Sequence, residues 1–312
     1  MAHVVGLGTL AMDVLIQVDR LPGADGFAVV NDRTLLPGGS GTNVITQAAR
    51  LGAECTFLGK VGDDATGQAI IASLREEGVN ADSMPVLPGG RSLSTTVVVD
   101  SDGQRFILLD LGDAFGTFSA EVVDLAAISG ADVFYTDLLP WAAARAGLAA
   151  AVRAGVPIVV GMEVDLPTMH GLGVSTDDIL SAMALAEVFL PCRDGLTGLA
   201  GSSDLEAGLA FLAAQCPGTS IVTLGAAGAI AVTATGERVT VPGVPVTPVD
   251  TTGAGDAFAG ALLAFRYVDR LEIGEAVRLA NAVAAASCTT LGARSGPNRD
   301  ELSAFLSTTT KE

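Results

Sequence analysis

Asp256 closes the run DTTGAGD, one residue past Gly255 and three past Gly253, and the apolar segment AFAGALLAF follows it. Glycines keep such a turn free of side-chain bulk. Backbone N–H groups of 253–256 can then converge on one point, at the positive end of the helix that follows. That is a hole for a phosphate, or for charge developing on a transferring phosphoryl group. A carboxylate beside the hole cannot itself bind phosphate. It can take the proton of a hydroxyl that is about to attack phosphorus. The same residues also fit a plain turn in which Asp256 only caps the helix. A side chain at Gly255 is expected to intrude on the hole and to strain the backbone.

A second cluster is PGGSGTNVITQAARLG, from Pro37 to Gly52. Gly38, Gly39 and Gly41 let the backbone approach a ligand closely. Asn43 enters the following helix in its first turn, where its amide can donate and accept at once, as a hydroxyl-rich ligand requires. Thr42 or Asn43 as a simple cap is the equally open alternative. A third glycine turn, Gly225 to Gly228 in SIVTLGAAGAIAV, follows a strand-like run and offers backbone groups to nucleotide phosphates or ribose. GLGTLA at 6–11 matches the loose dinucleotide fingerprint. That fingerprint needs a helix next, and the residues after it alternate at period two, so the match points away from an NAD site.

Other chemistries are poorly supplied. His3 and His170 are the only histidines, which argues against a His-dependent triad or zinc site. Cys55, Cys192, Cys216 and Cys288 are widely spaced with no CxxC, and read as reduced thiols of a cytoplasmic protein. The formal net charge of -18, with Lys60 and Lys311 the only lysines, would repel a nucleic acid. The N-terminus lacks the basic start and cleavage site of a signal peptide, and charges or prolines interrupt every long apolar run, so no membrane span is expected. The tail STTTKE is expected to be disordered.

The elements that position these residues follow from periodicity. HVVGLG reads as a buried strand, and DVLIQVDRLP alternates as a half-exposed one. TNVITQAARLG and ATGQAIIASLREEGV have helical spacing, the second stopped by Gly78. STTVVVDSDGQRFILLD reads as two strands joined at SDGQ. After Gly112, strands such as PIVVGME, EVFLP and SIVTLG alternate with helices, the last two near 254–268 and 274–290. Such alternation implies a parallel sheet covered on both faces. The exposed strands near 13–37 and 92–111 do not belong in that sheet. They are expected to form a small sheet beside it, a lid over a cleft, made from two separate chain segments.

Together these segments resemble the ribokinase-like (PfkB) carbohydrate kinases, nearly end to end, from GLGTLAMD to TLGARSGP. DTTGAGDAFAG and PGGSGTN…AARLGAECTFLGKVGDDATG match the two family signatures. The resemblance implies a single domain over 1–312 with a three-layer α/β/α fold, a mainly parallel central sheet and a β-sheet lid. It implies ATP-dependent phosphorylation of a primary hydroxyl, with Mg²⁺ and possible K⁺, in a homodimer joined through the lid. Asp256 is implied as base and Gly253, Ala254 and Gly255 as anion hole. Thr223, Gly225, Gly228 and Asn281 fall at the nucleotide, and Asp13, Gly39 and Asn43 at the sugar hydroxyls. Asp250, Thr252, Gly292 and Ser295 fall where some members bind potassium.

Within the family the chain looks most like the ketohexokinase branch. LAMDVLIQVDRLPGAD carries Asp25 on the lid, which implies an acid reaching the neighbouring subunit's sugar. PIVVGMEVDLP is similar to that branch's Glu-containing central strand, with Glu163 as the acid, and Arg105 falls where the branch has an arginine near the phosphates. A ketohexose or related sugar is therefore expected, with a nucleoside or sugar acid as alternative acceptor and a non-catalytic sugar sensor as the rival class. Trp141 and Phe115 are the few aromatics for a base clamp. The sequence departs from the family at PCRDGLTG: Cys192 and Gly195 stand where many members have Asn-x-x-Glu, with Asp194 a possible substitute. Mg²⁺ is accordingly expected on ATP oxygens and water.

Overall fold

Apolar β-rich runs bounded by glycine form the strands at the centre of the chain. The computed structural model describes residues 2–309. Strands β1 (His3–Leu7), β2 (Ala11–Val18), β3 (Val30–Gly38), β4 (Glu54–Leu58), β5 (Val61–Gly62), β6 (Val86–Leu87) and β7 (Ser94–Val99) lie in the first third. Then come β8 (Arg105–Asp110), β9 (Val133–Thr136), β10 (Ile158–Met162), β11 (Val188–Pro191), β12 (Thr219–Thr223), β13 (Ala229–Val232) and β14 (Arg238–Val241).

Eight of these form one sheet in the order β14-β13-β12-β11-β10-β9-β1-β4. All of its pairings from β4 to β12 are parallel, and the β12–β13–β14 meander is antiparallel. The parallel strands are buried on both faces, as their unbroken apolar runs require. Two separate cores flank the sheet. One gathers Val4, Tyr135 and Val159 with helices Ser40–Arg50, Ala254–Leu263 and Ile273–Ser287. The other gathers Val5, Phe134 and Val160 with helix Trp141–Ala154. Alternate residues of each strand face opposite cores, so the chain is a three-layer α/β/α fold.

The second sheet has the order β3-β2-β7-β8, drawn from the two expected chain segments. Strand β2 pairs antiparallel with β3 and parallel with β7, which pairs antiparallel with β8. Its residue rows fix two faces. Asp13, Thr95 and Leu109 share a row on the inner face, and Val14, Thr96 and Leu108 share one on the outer face.

Three local expectations need correction. Short helices Leu166–Gly171 and Arg193–Ala200 stand where no helix was read. Both are anchored by capping side chains: Asp165 accepts from the Thr168 N–H, and the Cys192 thiol sulfur accepts from the Gly195 N–H. Of the tail, Ser307 to Thr309 end the helix Arg299–Thr309, and 310–312 lie outside the described residues.

Candidate active site

Parallel α/β sheets leave a crevice beyond the carboxyl ends of their strands. Here that crevice is a cleft of about 550 Å³, roofed by the inner face of the small sheet. Each central strand delivers a residue at or just past its end: Thr9 from β1, Asp137 from β9, Glu163 from β10, Cys192 from β11 and, as its last residue, Thr223 from β12. The helix Ala254–Leu263 points its N-terminus into the same space.

That N-terminus is capped by Gly253 at φ 75°, with no side chain on the first-turn N–H groups. A Cβ at Gly253 would stand 2.2 Å from the Ala293 carbonyl oxygen, so only glycine fits. Gly255 differs from the expectation. A Cβ there would meet only a Glu163 oxygen, at an ordinary 3.5 Å. It would occupy the hole without straining the backbone.

Asp256 does not cap the helix; it lies within the first turn and is 6% exposed. Its Oδ2 accepts from Asn43 Nδ2 at 2.8 Å. Burial pushes its carboxyl up to about 7, against the Asn43 and Ser40 hydrogen bonds that favour the ionised form. Glu163 is pushed up by burial and by the charges of Asp256 and Asp137. Asp137 is raised to about 6 by burial, although it accepts from the Thr9 N–H at 2.8 Å and the Thr9 hydroxyl at 2.6 Å. The Tyr135 phenol beside Glu163 is raised in turn by burial and by all three carboxylates. One proton-rich acid cluster thus faces the N-terminus of the helix, and groups poised near neutrality suit proton transfer at pH 7.

On the small-sheet side, Asp13 accepts from the Thr95 hydroxyl and borders the cleft with Gly39. Burial raises the Asp13 carboxyl, while the Thr95 bond and the Arg294 charge lower it. Gly39, at φ 88°, lies so close to Leu10 that a Cβ would be 2.6 Å from the Leu10 Cα.

Arg294 was not singled out in the sequence. Its Nε donates to Asn43 Oδ1 at 2.9 Å, and its Nη2 to the Thr42 hydroxyl at 2.8 Å. Since Arg294 can only donate, it forces the Asn43 carbonyl toward itself and the Asn43 NH₂ toward Asp256. One Asn43 N–H then remains for a ligand. Asp137 and Thr9 were missed as well. The only sequence signal for Asp137 was its place just after a buried strand.

Among the expected nucleotide residues, Thr223 lines the cleft while Gly225, Gly228 and Asn281 lie outside its wall. The last three still gather at one shelf. Gly228 abuts the Val241 carbonyl and Gly243, and the Asn281 amide donates to the carbonyls of Val241 (3.3 Å) and Pro242 (3.5 Å). Asp25 lies exposed in the loop between β2 and β3, outside the wall. Arg105 is exposed on β8; Asp250 is held below its usual range, against burial, chiefly by hydrogen bonds from Thr252 and Gly292, with the Arg105 charge a smaller contribution. Asp250 accepts from the Thr252 N–H and hydroxyl and from the Gly292 N–H at 3.0 Å. Ser295 instead donates to the Ser287 carbonyl. Asp194 is exposed outside the wall, and Trp141 is absent from it, whereas Phe115 is part of it. Among the described residues no group of three or more His, Cys, Asp or Glu is arranged to hold a metal.

A carboxylate at a glycine-capped helix N-terminus, facing polar side chains across one cleft, is the arrangement a phosphotransferase acting on an alcohol requires. The chain matches the family described as pfkB family carbohydrate kinase over residues 1–301, and it belongs to that family. It is 33% identical to an ATP-dependent ribose-1-phosphate kinase of Halopiger xanaduensis, over 98% of this chain and 99% of the relative. It is 27% identical to a ribokinase of Bacillus subtilis, over 98% of this chain and all of the relative. In fold it is similar to Arabidopsis thaliana ribokinase solved with ribose and ATP, with TM-score 0.83, 24% identity and coverage of 98% and 99% of the two chains. An Escherichia coli protein assigned as ribokinase II and solved with ATP and Mg²⁺ gives TM-score 0.84, 25% identity and coverage of 99% and 100%.

Proposed function

We propose that the protein transfers the γ-phosphoryl of ATP to a primary hydroxyl of a sugar, a ketohexose or a related carbohydrate. The observation that carries this reading is the single cleft that joins Asp256, the glycine-capped helix N-terminus, and the Asp13–Thr95 pair. The acceptor's ring hydroxyls bond Asp13, the Gly39 backbone and the free Asn43 N–H. Its primary hydroxyl lies against Asp256, which removes the proton as the oxygen attacks phosphorus. The N–H groups of 253–255 face the charge that develops on the phosphoryl oxygens, where fixed donors act without reorganising. Thr223 borders the donor side, and the Gly225–Gly228 and Asn281 shelf receives the nucleoside part of ATP. Mg²⁺, when bound, neutralises phosphate oxygens. In this reading the ion is carried in on ATP oxygens with its waters. A monovalent cation beside the hole would be held by Asp250 and nearby carbonyls.

Homodimerisation through the outer face of the small sheet is part of this reading. Leu35 (60% exposed) and Leu108 (60%) share one row there, a patch that a second copy can cover. Asp25, exposed in the loop between β2 and β3, would reach the partner's cleft. Among the described residues no helix is long and apolar enough to cross a membrane, and a cytoplasmic location is part of the proposal.

The test is ADP release with ATP and Mg²⁺ over a panel of sugars, nucleosides and sugar acids. Saturable release with at least one neutral sugar is expected. Tight sugar binding with no release from any panel member would leave only the sensor.

A further inference from the structure

The inner face of the small sheet changes character along one row. Leu36 of β3, Asp13 of β2, Thr95 of β7 and Leu109 of β8 stand side by side across the strands. Asp13 and Thr95 are polar and bonded to each other; Leu109 is half exposed, yet it lines the cleft. Ile107 and Leu111 flank it on the same face, 57% and 36% exposed, and also line the cleft. Buried Leu93, Phe115 and Leu139 continue this apolar wall. The outward patch of Leu108 is a different surface, because successive strand residues alternate faces. A second copy on the outer face therefore leaves Ile107 and Leu109 uncovered.

Charge in the cleft is one-sided. Among the described residues its wall contains Asp13, Asp137, Glu163 and Asp256, but no lysine, arginine or histidine. Whatever their protonation, these four groups cannot offer an anion a cation. Arg294, behind Asn43 and outside the wall, donates to Asn43, Thr42, Gly38 and Ser73. Arg105 lies outside the wall and acts on Asp250, at the phosphate end.

We infer that the acceptor is a neutral sugar bearing an uncharged apolar substituent, seated on Leu109 and Ile107, and that sugar phosphates and sugar acids are rejected. This rests on the kinase reading above. Leu109 is two strands from Asp13, about 10 Å, which a sugar ring plus a substituent spans. The substituent removes apolar wall from water, and an anionic group placed there, away from the N–H groups of 253–255, would find acidic side chains in the cleft and no cation.

Two matched acceptor sets test this: ribose, ribose 1-phosphate and phenyl riboside; and fructose, fructose 6-phosphate and phenyl fructofuranoside. Every member keeps a primary hydroxyl. Binding is read by calorimetry on Asp256→Asn protein, and turnover on the parent with ATP and Mg²⁺. In at least one set the phenyl member is expected to bind about tenfold or more tighter than the bare sugar, in the range apolar pockets discriminate. The phosphorylated member is expected to bind at least about tenfold weaker than the bare sugar. Leu109→Ser, at a half-exposed position that should leave the melting temperature unmoved, cuts the phenyl preference about tenfold. Phenyl members that bind no tighter than bare sugars in both sets overturn the inference, whatever the turnover. So does a phosphorylated member that binds tightest. If phenyl members bind tighter but the parent releases no ADP from any acceptor, the seat stands and the kinase reading fails.

Discussion

Replacing Asp256 by Asn separates chemistry from architecture. The two side chains are nearly isosteric. Because Asp256 caps nothing, no helix cap is lost. The amide oxygen can still accept from Asn43 Nδ2, now 2.8 Å from the carboxylate. The buried acid is raised from 3.8 to about 7, so ionising it in the folded protein costs stability. That cost is absent below pH 4, grows as pH rises, and is complete above about 7. Three pK units correspond to about 4 kcal/mol at most, an upper figure because Glu163 and Asp137 share the cluster. Asp256→Asn should therefore melt higher than the parent at pH 8 and at nearly the same temperature at pH 4. Its turnover should fall by about 10²–10⁴, the usual contribution of a positioned base. The parent's kcat/KM should rise with pH up to about 7 and then level off, since the base must be ionised. Calorimetric binding of ATP and acceptor, melting curves at both pH values and coupled ADP release decide the matter. Near-parental turnover in a folded Asn variant would refute the role given to the carboxylate.

Other outcomes follow from the same geometry. Asp13→Ala should weaken acceptor binding by roughly 1–3 kcal/mol while leaving ATP affinity nearly unchanged; equal losses for both ligands would mark Asp13 as part of the fold instead. Arg294→Met releases the Asn43 amide, so turnover should drop more than acceptor KM rises and the pH profile should shift. A parental pH profile would leave Arg294 as packing only. Gly253→Ala should lower the melting temperature and the yield of folded protein, because its Cβ has no room beside Ala293 and its φ is left-handed, a strain of order 1–3 kcal/mol. Gly255→Ala should fold normally and lose phosphate affinity, and comparing the two melting curves checks both. Leu108→Lys on the outer face should convert a dimer to a monomer by light scattering; an unchanged mass would remove the proposed interface.

Much of this protein is legible in one dimension because its signals are local. Period-two and period-3.6 patterns, with glycine punctuation, announced the parallel sheet, the flanking helices and a small sheet built from residues 13–37 and 92–111. The DTTGAGD turn announced a helix N-terminus with a carboxylate in its first turn, and it left cap and base undecided. Only the tertiary structure showed that Asp256 faces a cleft and caps nothing. What brings Asn43 to Asp256, and Arg294 to Asn43, are contacts between residues 213 and 251 positions apart. No local periodicity encodes these. The acid cluster arises because the parallel strands β9 and β10 end at one edge with Asp137 and Glu163, where the helix Ala254–Leu263 brings Asp256. Its raised carboxyls are a product of burial, which composition does not reveal. Strand β8 is the sharpest case. In RFILLD both alternate sets are apolar, so the sequence could not say which face meets the cleft. Pairing with β7 settled it, placing Leu109 beside Thr95 and turning Leu108 away, because register fixes every side chain's face at once.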